Sequence, residues 1–114
     1  MSKGGERLRK YETTIIFDPA LSDEAIEKEI KKVEEQISGL EGKILKVEKW
    51  GLRRLAYQIA KKSQGFYVFV LFEGQGSIPA ELERNFRLSE VCLRYLTVVS
   101  EQKESVKTEP PKRS

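Results

Sequence analysis

Arg53 and Arg54 are the residues here best suited to chemistry, because they sit where strands rarely keep charge. In "WGLRRLAYQIAKKSQGFYVFVLF", Trp50 to Phe72, they lie inside a run that is otherwise largely apolar and aromatic. A guanidinium is planar, always charged and forked, so it matches a phosphate bidentately. Arg87 and Arg94 flank a later apolar stretch, and Arg9 and Lys10 precede the first one. The plainer alternative is an internal ion pair, with each arginine on an acid such as Glu48 or Glu12 and its stem on the sheet. Pattern alone leaves these two readings level.

Other chemistries find little material. The chain of 114 residues has no histidine, which excludes histidine catalysis and a Cys/His zinc site. Its single cysteine, Cys92, cannot form a disulfide within the chain and reads as a small buried filler. "EGQGS", Glu73 to Ser77, could cradle an anion before a helix, but no Walker lysine follows and a plain turn is the better reading. Glu81 and Glu83 fall on different helix faces and are no acid–base pair. No enzyme activity, metal, cofactor or small-molecule substrate is expected. Twenty-one basic against 18 acidic residues leave a net charge of +3, which permits a nucleic-acid partner without demanding one. The start, "MSKGGERLRK", has no apolar h-region and no run reaches membrane-spanning length, so a cytoplasmic location is expected.

The elements that must position the arginines follow from periodicity. "YETTIIF", Tyr11 to Phe17, is β-branched and alternating, a first strand ended by Asp18-Pro19. Ser22 is a candidate N-cap with Asp23 and Glu24 in the first turn, and Leu21 and Ile26 suit a hydrophobic staple. Ile26, Ile30, Val33, Ile37 and Leu40 form one helical stripe that ends near Gly39 and Gly42. Lys43 to Trp50 is a second strand. Gly51 marks a bulge or bend, and strand pattern resumes from Leu52 to Ala60. "KKSQG", residues 61–65, reads as a hairpin turn with Gly65 supplying a positive φ. Phe66 to Phe72 is a third strand. Ser77 is expected to cap a second helix with Pro79 in its first turn and Leu82 and Phe86 on one side. Val91 to Val99 is the fourth strand.

The order βαββαβ predicts an α+β, ferredoxin-like split-βαβ fold. A four-stranded antiparallel sheet would carry two helices on one face. Residues 10–100 form that domain, residues 1–9 a flexible basic arm, and residues 101–114 a disordered polar tail. The other sheet face is left without helices. On the third strand Phe66, Val68, Val70 and Phe72 point one way and Tyr67, Phe69 and Leu71 the other. Arg53, Leu55, Tyr57 and Ile59 share a face of the second strand. Tyr57, Ile59, Tyr67 and Phe69 are therefore candidate contacts for a protein partner. RNA-recognition modules share this topology, but their third-strand motif fails here, because Phe66 and Phe69 lie on opposite faces. A stand-alone single-stranded RNA-binding module is the second reading.

"GLRRLAYQIA", Gly51 to Ala60, closely resembles the signature segment of the bacterial small-subunit ribosomal protein six family. "KYE" at Lys10–Glu12, "QGFY" at Gln64–Tyr67 and "LERNFRLSEVCLRYLTV" at Leu82–Val98 resemble other family segments, in order, from about Lys10 to Val99. The resemblance implies the ferredoxin-like fold and a structural, ribosome-bound protein of the small subunit. It further implies binding to the central domain of small-subunit ribosomal RNA as a heterodimer with ribosomal protein eighteen. Arg87 and Arg94 stand at basic positions of the family. With Arg9, Lys10, Arg53 and Arg54 they make up the candidate RNA-binding set. Three departures stand out: Met1 to Arg9 is an extension, Gln58 replaces a frequent proline, and "PPKRS" replaces the acidic tail of some members.

Overall fold

The structure, a computed structural model, describes residues 8–100. Its elements run β1 (Arg9–Phe17), α1 (Asp23–Gly39), β2 (Lys43–Ile59), β3 (Lys62–Gly74), α2 (Ile78–Leu88) and β4 (Cys92–Val99). The four strands form one antiparallel sheet in the order β2-β3-β1-β4. The expected ferredoxin-like split-βαβ fold is therefore the observed one. β1 begins two residues earlier than expected, and Arg9, counted with the arm, pairs with Gly74. Leu8, also counted with the arm, is exposed just ahead of the strand; residues 1–7 and the expected tail lie outside the described residues.

Helix α1 forms as its sequence directs. Asp18 Oδ1 accepts from Ala20 N at 2.9 Å and turns the chain out of β1. Ser22 is extended and its hydroxyl accepts from Ala25 N at 3.1 Å, so one orphan donor of the first turn is satisfied. Ile26, Ile30, Val33 and Ile37 are the buried stripe. At the far end the left-handed conformation falls on Glu41, φ 67°, rather than on either neighbouring glycine. Helix α2 differs from expectation at its start. Ser77 is already helical in φ and ψ, and its side chain makes no capping bond. Pro79 in the first turn fixes the backbone there without help from the serine.

Both helices cover one face of the sheet. Tyr11, Thr13, Ile15 and Phe17 of β1 and Val68, Val70 and Phe72 of β3 are buried beneath Ile26, Ile30, Ile37, Ile78, Leu82 and Phe86. Tyr11 stacks on Phe72 with centroids 5.4 Å apart. Thr13, wholly buried, shares a 2.8 Å hydroxyl–hydroxyl bond with Thr97.

The expected bulge at Gly51 is observed: β2 is one continuous strand of 17 residues with a register shift between Lys49 and Gly51. One correction concerns the β2–β3 turn. The reversal lies at Ala60 and Lys61, with φ of 51° and 66°, the paired left-handed geometry of a two-residue hairpin turn. Gly65 is not in the turn. It lies in β3 opposite Arg53, and a Cβ built on it would come 2.3 Å from Ile16 Cγ2. Glycine is needed there for close approach, not for φ.

Candidate nucleic-acid interface

The register assigns the uncovered face row by row, since residues directly opposite in an antiparallel pair share a side. Lys46, Leu71, Glu12 and Val98 form one row, and Glu48, Phe69, Thr14 and Leu96 the next. Gly51, Tyr67, Ile16 and Arg94 form the third, and Arg53 follows opposite Gly65. Tyr67, Phe69 and Leu71 are only partly buried. Leu96 and Val98, at the β4 edge, are 62% and 45% exposed, so apolar side chains reach that edge of the face.

The bulge between Lys49 and Gly51 sets the arginines. Lys49 faces the helix side, where it pairs with Glu27 of α1. Trp50 is the extra residue, and Gly51 takes φ 86°. In an even strand, residues three apart point to opposite faces. The extra residue resets the phase, so Trp50 and Arg53 both come to the open face. Trp50 lies parallel to Phe69, with centroids 5.5 Å apart, and the Arg53 guanidinium sits 5.6 Å from the indole centroid. Trp50 Nε1 donates to Glu48 Oε1 at 2.9 Å, and Lys46 Nζ lies 3.5 Å from the same carboxylate. Arg54 stands opposite Gln64, on the other side of the strand.

Beyond Arg54 the hairpin leaves its regular register and closes on the sheet. Leu55 becomes buried, its Cδ2 3.5 Å from the Cβ position of Gly65 and close to Ile16. Tyr57 reaches the opposite side of the sheet, where the Arg94 guanidinium lies 6.0 Å from its ring centroid. Ile59 pairs with Lys62 at the hairpin end. Of the face expected to be shared by Arg53, Leu55, Tyr57 and Ile59, contacts at Trp50, Gly65 and Arg94 put the first three on the open side of the sheet, and no such contact does so for Ile59.

The structure divides the six basic candidates. Arg53, Arg54 and Arg94 lie at the end of the sheet marked by Phe17. Arg87 is in the last turn of α2, which runs toward that same end and whose C-terminal dipole a cation favours. Arg9 and Lys10 lie at the other end, opposite Gly74 and Glu73, about 20 Å away at the strand rise. They do not join the same patch. Arg53, Arg54, Arg87 and Arg94 pair with no carboxylate among the described residues. The acids proposed for internal pairing are engaged elsewhere: Glu48 by Trp50 and Lys46, and Glu12 by the Ser100 hydroxyl at 2.9 Å. Among the described residues no cluster of His, Cys, Asp and Glu could hold a metal ion. No described helix is long and apolar enough to cross a membrane. Sequence reasoning missed Trp50 as a partner of Arg53; its signal was the Trp-Gly-x-Arg spacing across a bulge.

A family model for ribosomal protein S6 matches residues 10–99. The chain belongs to the ribosomal protein S6 family. Among its relatives, the small ribosomal subunit protein bS6 of Geobacter metallireducens is 41% identical over 95 residues, covering 83% of this chain and 80% of that protein. The bS6 protein of Clostridium acetobutylicum is 38% identical, covering 83% of this chain and all of that protein. The crystal structure of 30S ribosomal protein S6 from Thermotoga maritima superposes with a TM-score of 0.78 at 33% identity, covering 82% of this chain and 89% of that one. As an S6 family member the chain is a protein of the small ribosomal subunit, and the segment shared with the family contains both the bulge and the hairpin.

Proposed function

We propose that this small-subunit protein binds ribosomal RNA of the subunit's central domain together with ribosomal protein eighteen, as a heterodimer. One observation carries the reading. Four arginines without carboxylate partners among the described residues gather at one end of a sheet whose helix-free face is apolar and partly exposed. Unpaired guanidinium groups suit phosphate. A patch of Tyr67 and Leu71 in mid-sheet with Leu96 and Val98 at the β4 edge suits a protein. Arg53 and Arg94 lie on that open face beside the apolar residues, which favours RNA and protein bound side by side. Arg53, Arg54, Arg87 and Arg94 are the candidates from which the RNA contacts are drawn, and Tyr57, Ile59, Tyr67 and Phe69 are the proposed partner contacts. Arg9 and Lys10, at the far end, could serve only a second stretch of RNA. This role is structural, without catalysis, and places the protein on cytoplasmic ribosomes.

The modest net charge makes weak RNA binding the expectation for the chain alone. The test is affinity for a central-domain RNA fragment, with and without ribosomal protein eighteen. Tighter binding with the partner, by a coupling of about 1–3 kcal/mol, is expected. Equal affinity in both cases would sink the heterodimer reading.

A further inference from the structure

We infer that Trp50 is a positioning residue for RNA: it seats the Arg53 guanidinium so that the in-plane donors of Arg53, rather than those of Arg54, meet a backbone phosphate. The inference rests on the RNA-binding reading above.

The seat is built from several independent contacts. Phe69 lies parallel behind the indole, 5.5 Å away and within 5°. Glu48 holds the indole edge through Nε1, and Lys46 lies against that carboxylate. The ring therefore has both its plane and its rotation determined before any ligand arrives. The Arg53 guanidinium lies over this ring, 5.6 Å from its centroid. Among the described residues no carboxylate engages Arg53, so its five N–H donors remain for a ligand. Much of the rotamer freedom an arginine ordinarily loses on binding is thus already restricted. Arg54 has the same charge but the opposite face of the strand. No ring contact or ion pair orders it among the described residues. Two adjacent arginines thus have unequal preparation, and the bulge at Trp50 is the cause.

The experiment measures affinity of the heterodimer for the central-domain RNA fragment across a salt series. The proteins compared are wild type, Arg53→Ala, Arg54→Ala, Trp50→Leu and the Trp50→Leu/Arg53→Ala double variant. Arg53→Ala should weaken binding and reduce the log–log salt slope by roughly 0.7–0.9, the loss of one phosphate contact. Arg54→Ala should leave the slope nearly unchanged. Trp50→Leu keeps the Arg53 charge, so it should weaken binding roughly two- to fivefold with little change of slope. In the Arg53→Ala background it should cost nothing further. Trp50→Phe, which retains an aromatic face, should recover part of the loss, and it replaces Trp50→Leu in the cycle if that variant melts early. Trp50 is the only tryptophan, so its emission in the free protein should change in Arg53→Ala and not in Arg54→Ala. Equal Trp50→Leu losses with and without Arg53, or a slope that falls for Arg54→Ala instead, would overturn the inference while leaving RNA binding intact. A wild-type heterodimer that does not bind the fragment would remove the broader reading itself.

Discussion

Tyr57 of β2 lies against Arg94 of β4, although β3 and β1 separate their strands in the sheet. The contact exists because the hairpin folds over the open face, with Leu55 seated near Gly65 and Ile16 beneath it. It ties the two sheet edges together at the end where the arginines gather.

A double-mutant cycle with Tyr57→Ala and Arg94→Ala should give a coupling of about 0.5 kcal/mol, since both side chains are exposed. Tyr57→Phe should retain most of it, because the ring and not the hydroxyl faces the guanidinium. Urea unfolding of the four proteins measures the coupling. Full additivity would mean that the contact contributes nothing.

Gly51 and Gly65 should fail differently when substituted. A Cβ on Gly51 meets nothing within 4 Å, but its φ of 86° is costly for a side chain. Gly51→Ala should therefore lose about 1–2 kcal/mol, and Gly51→Asn less, because Asn tolerates the left-handed region. Gly65→Ala meets Ile16 Cγ2 at 2.3 Å and should lose about 1–3 kcal/mol through overpacking. Asn at 65 should be worse than Ala. Opposite rankings of Asn against Ala at the two sites, read from denaturation midpoints, are the discriminating result.

Thr13 and Thr97 should behave as a unit. Thr13→Val leaves the Thr97 hydroxyl without its 2.8 Å partner in a site where Thr13 is wholly buried, and should cost about 1–2 kcal/mol. Replacing both by Val removes both polar groups at unchanged shape and should cost less than the single change. Thermal melts of the three variants check this. A double variant that loses the sum of the single losses would show that the hydroxyls are not coupled.

Cys92 should be a sluggish nucleophile near neutral pH. Burial pushes its thiol up to about 11, with Glu29 adding to the rise. Alkylation of the folded protein should therefore lag behind that of the unfolded chain until the pH nears 11. The raised pKa also has a stability consequence. The unfolded chain gives up this proton first, so the contribution is complete below the ordinary thiol pKa and declines as pH rises toward about 11. Cys92→Ser, whose hydroxyl does not titrate there, should show a shallower loss of stability across that window.

Much of the fold was legible because burial imposes a period. The stripe from Ile26 to Ile37 and the alternation of Val68, Val70 and Phe72 needed only one covered face to be read correctly. The hairpin was harder. Glycine at 65 looked like a turn residue, yet Ala60 and Lys61 take the left-handed conformation, while Gly65 yields space to Ile16. The two readings use the same residue type for different physical reasons. Among the candidate site residues, the face of Arg53 was readable from alternation, but its seat on Trp50 depends on the phase shift at the bulge. The separation of Arg9 and Lys10 from the other arginines follows from strand direction, which a list of basic residues does not contain.

The Thr13–Thr97 bond joins residues 84 apart in sequence, and the order of synthesis gives that separation a consequence. β1 is the first described strand to be made and lies inside the sheet, yet its β4 neighbour is the last. At on the order of 5–20 residues per second, the ribosome needs roughly 4–15 s to pass from Phe17 to Cys92. Throughout that interval one edge of β1, carrying Ile15 and Ile16, has no strand to pair with. A nascent chain in this condition is open to intermolecular strand pairing. Ribosomes stalled before Cys92 should therefore display a protease-sensitive chain, and stability should appear abruptly once β4 has been released, rather than accumulate element by element.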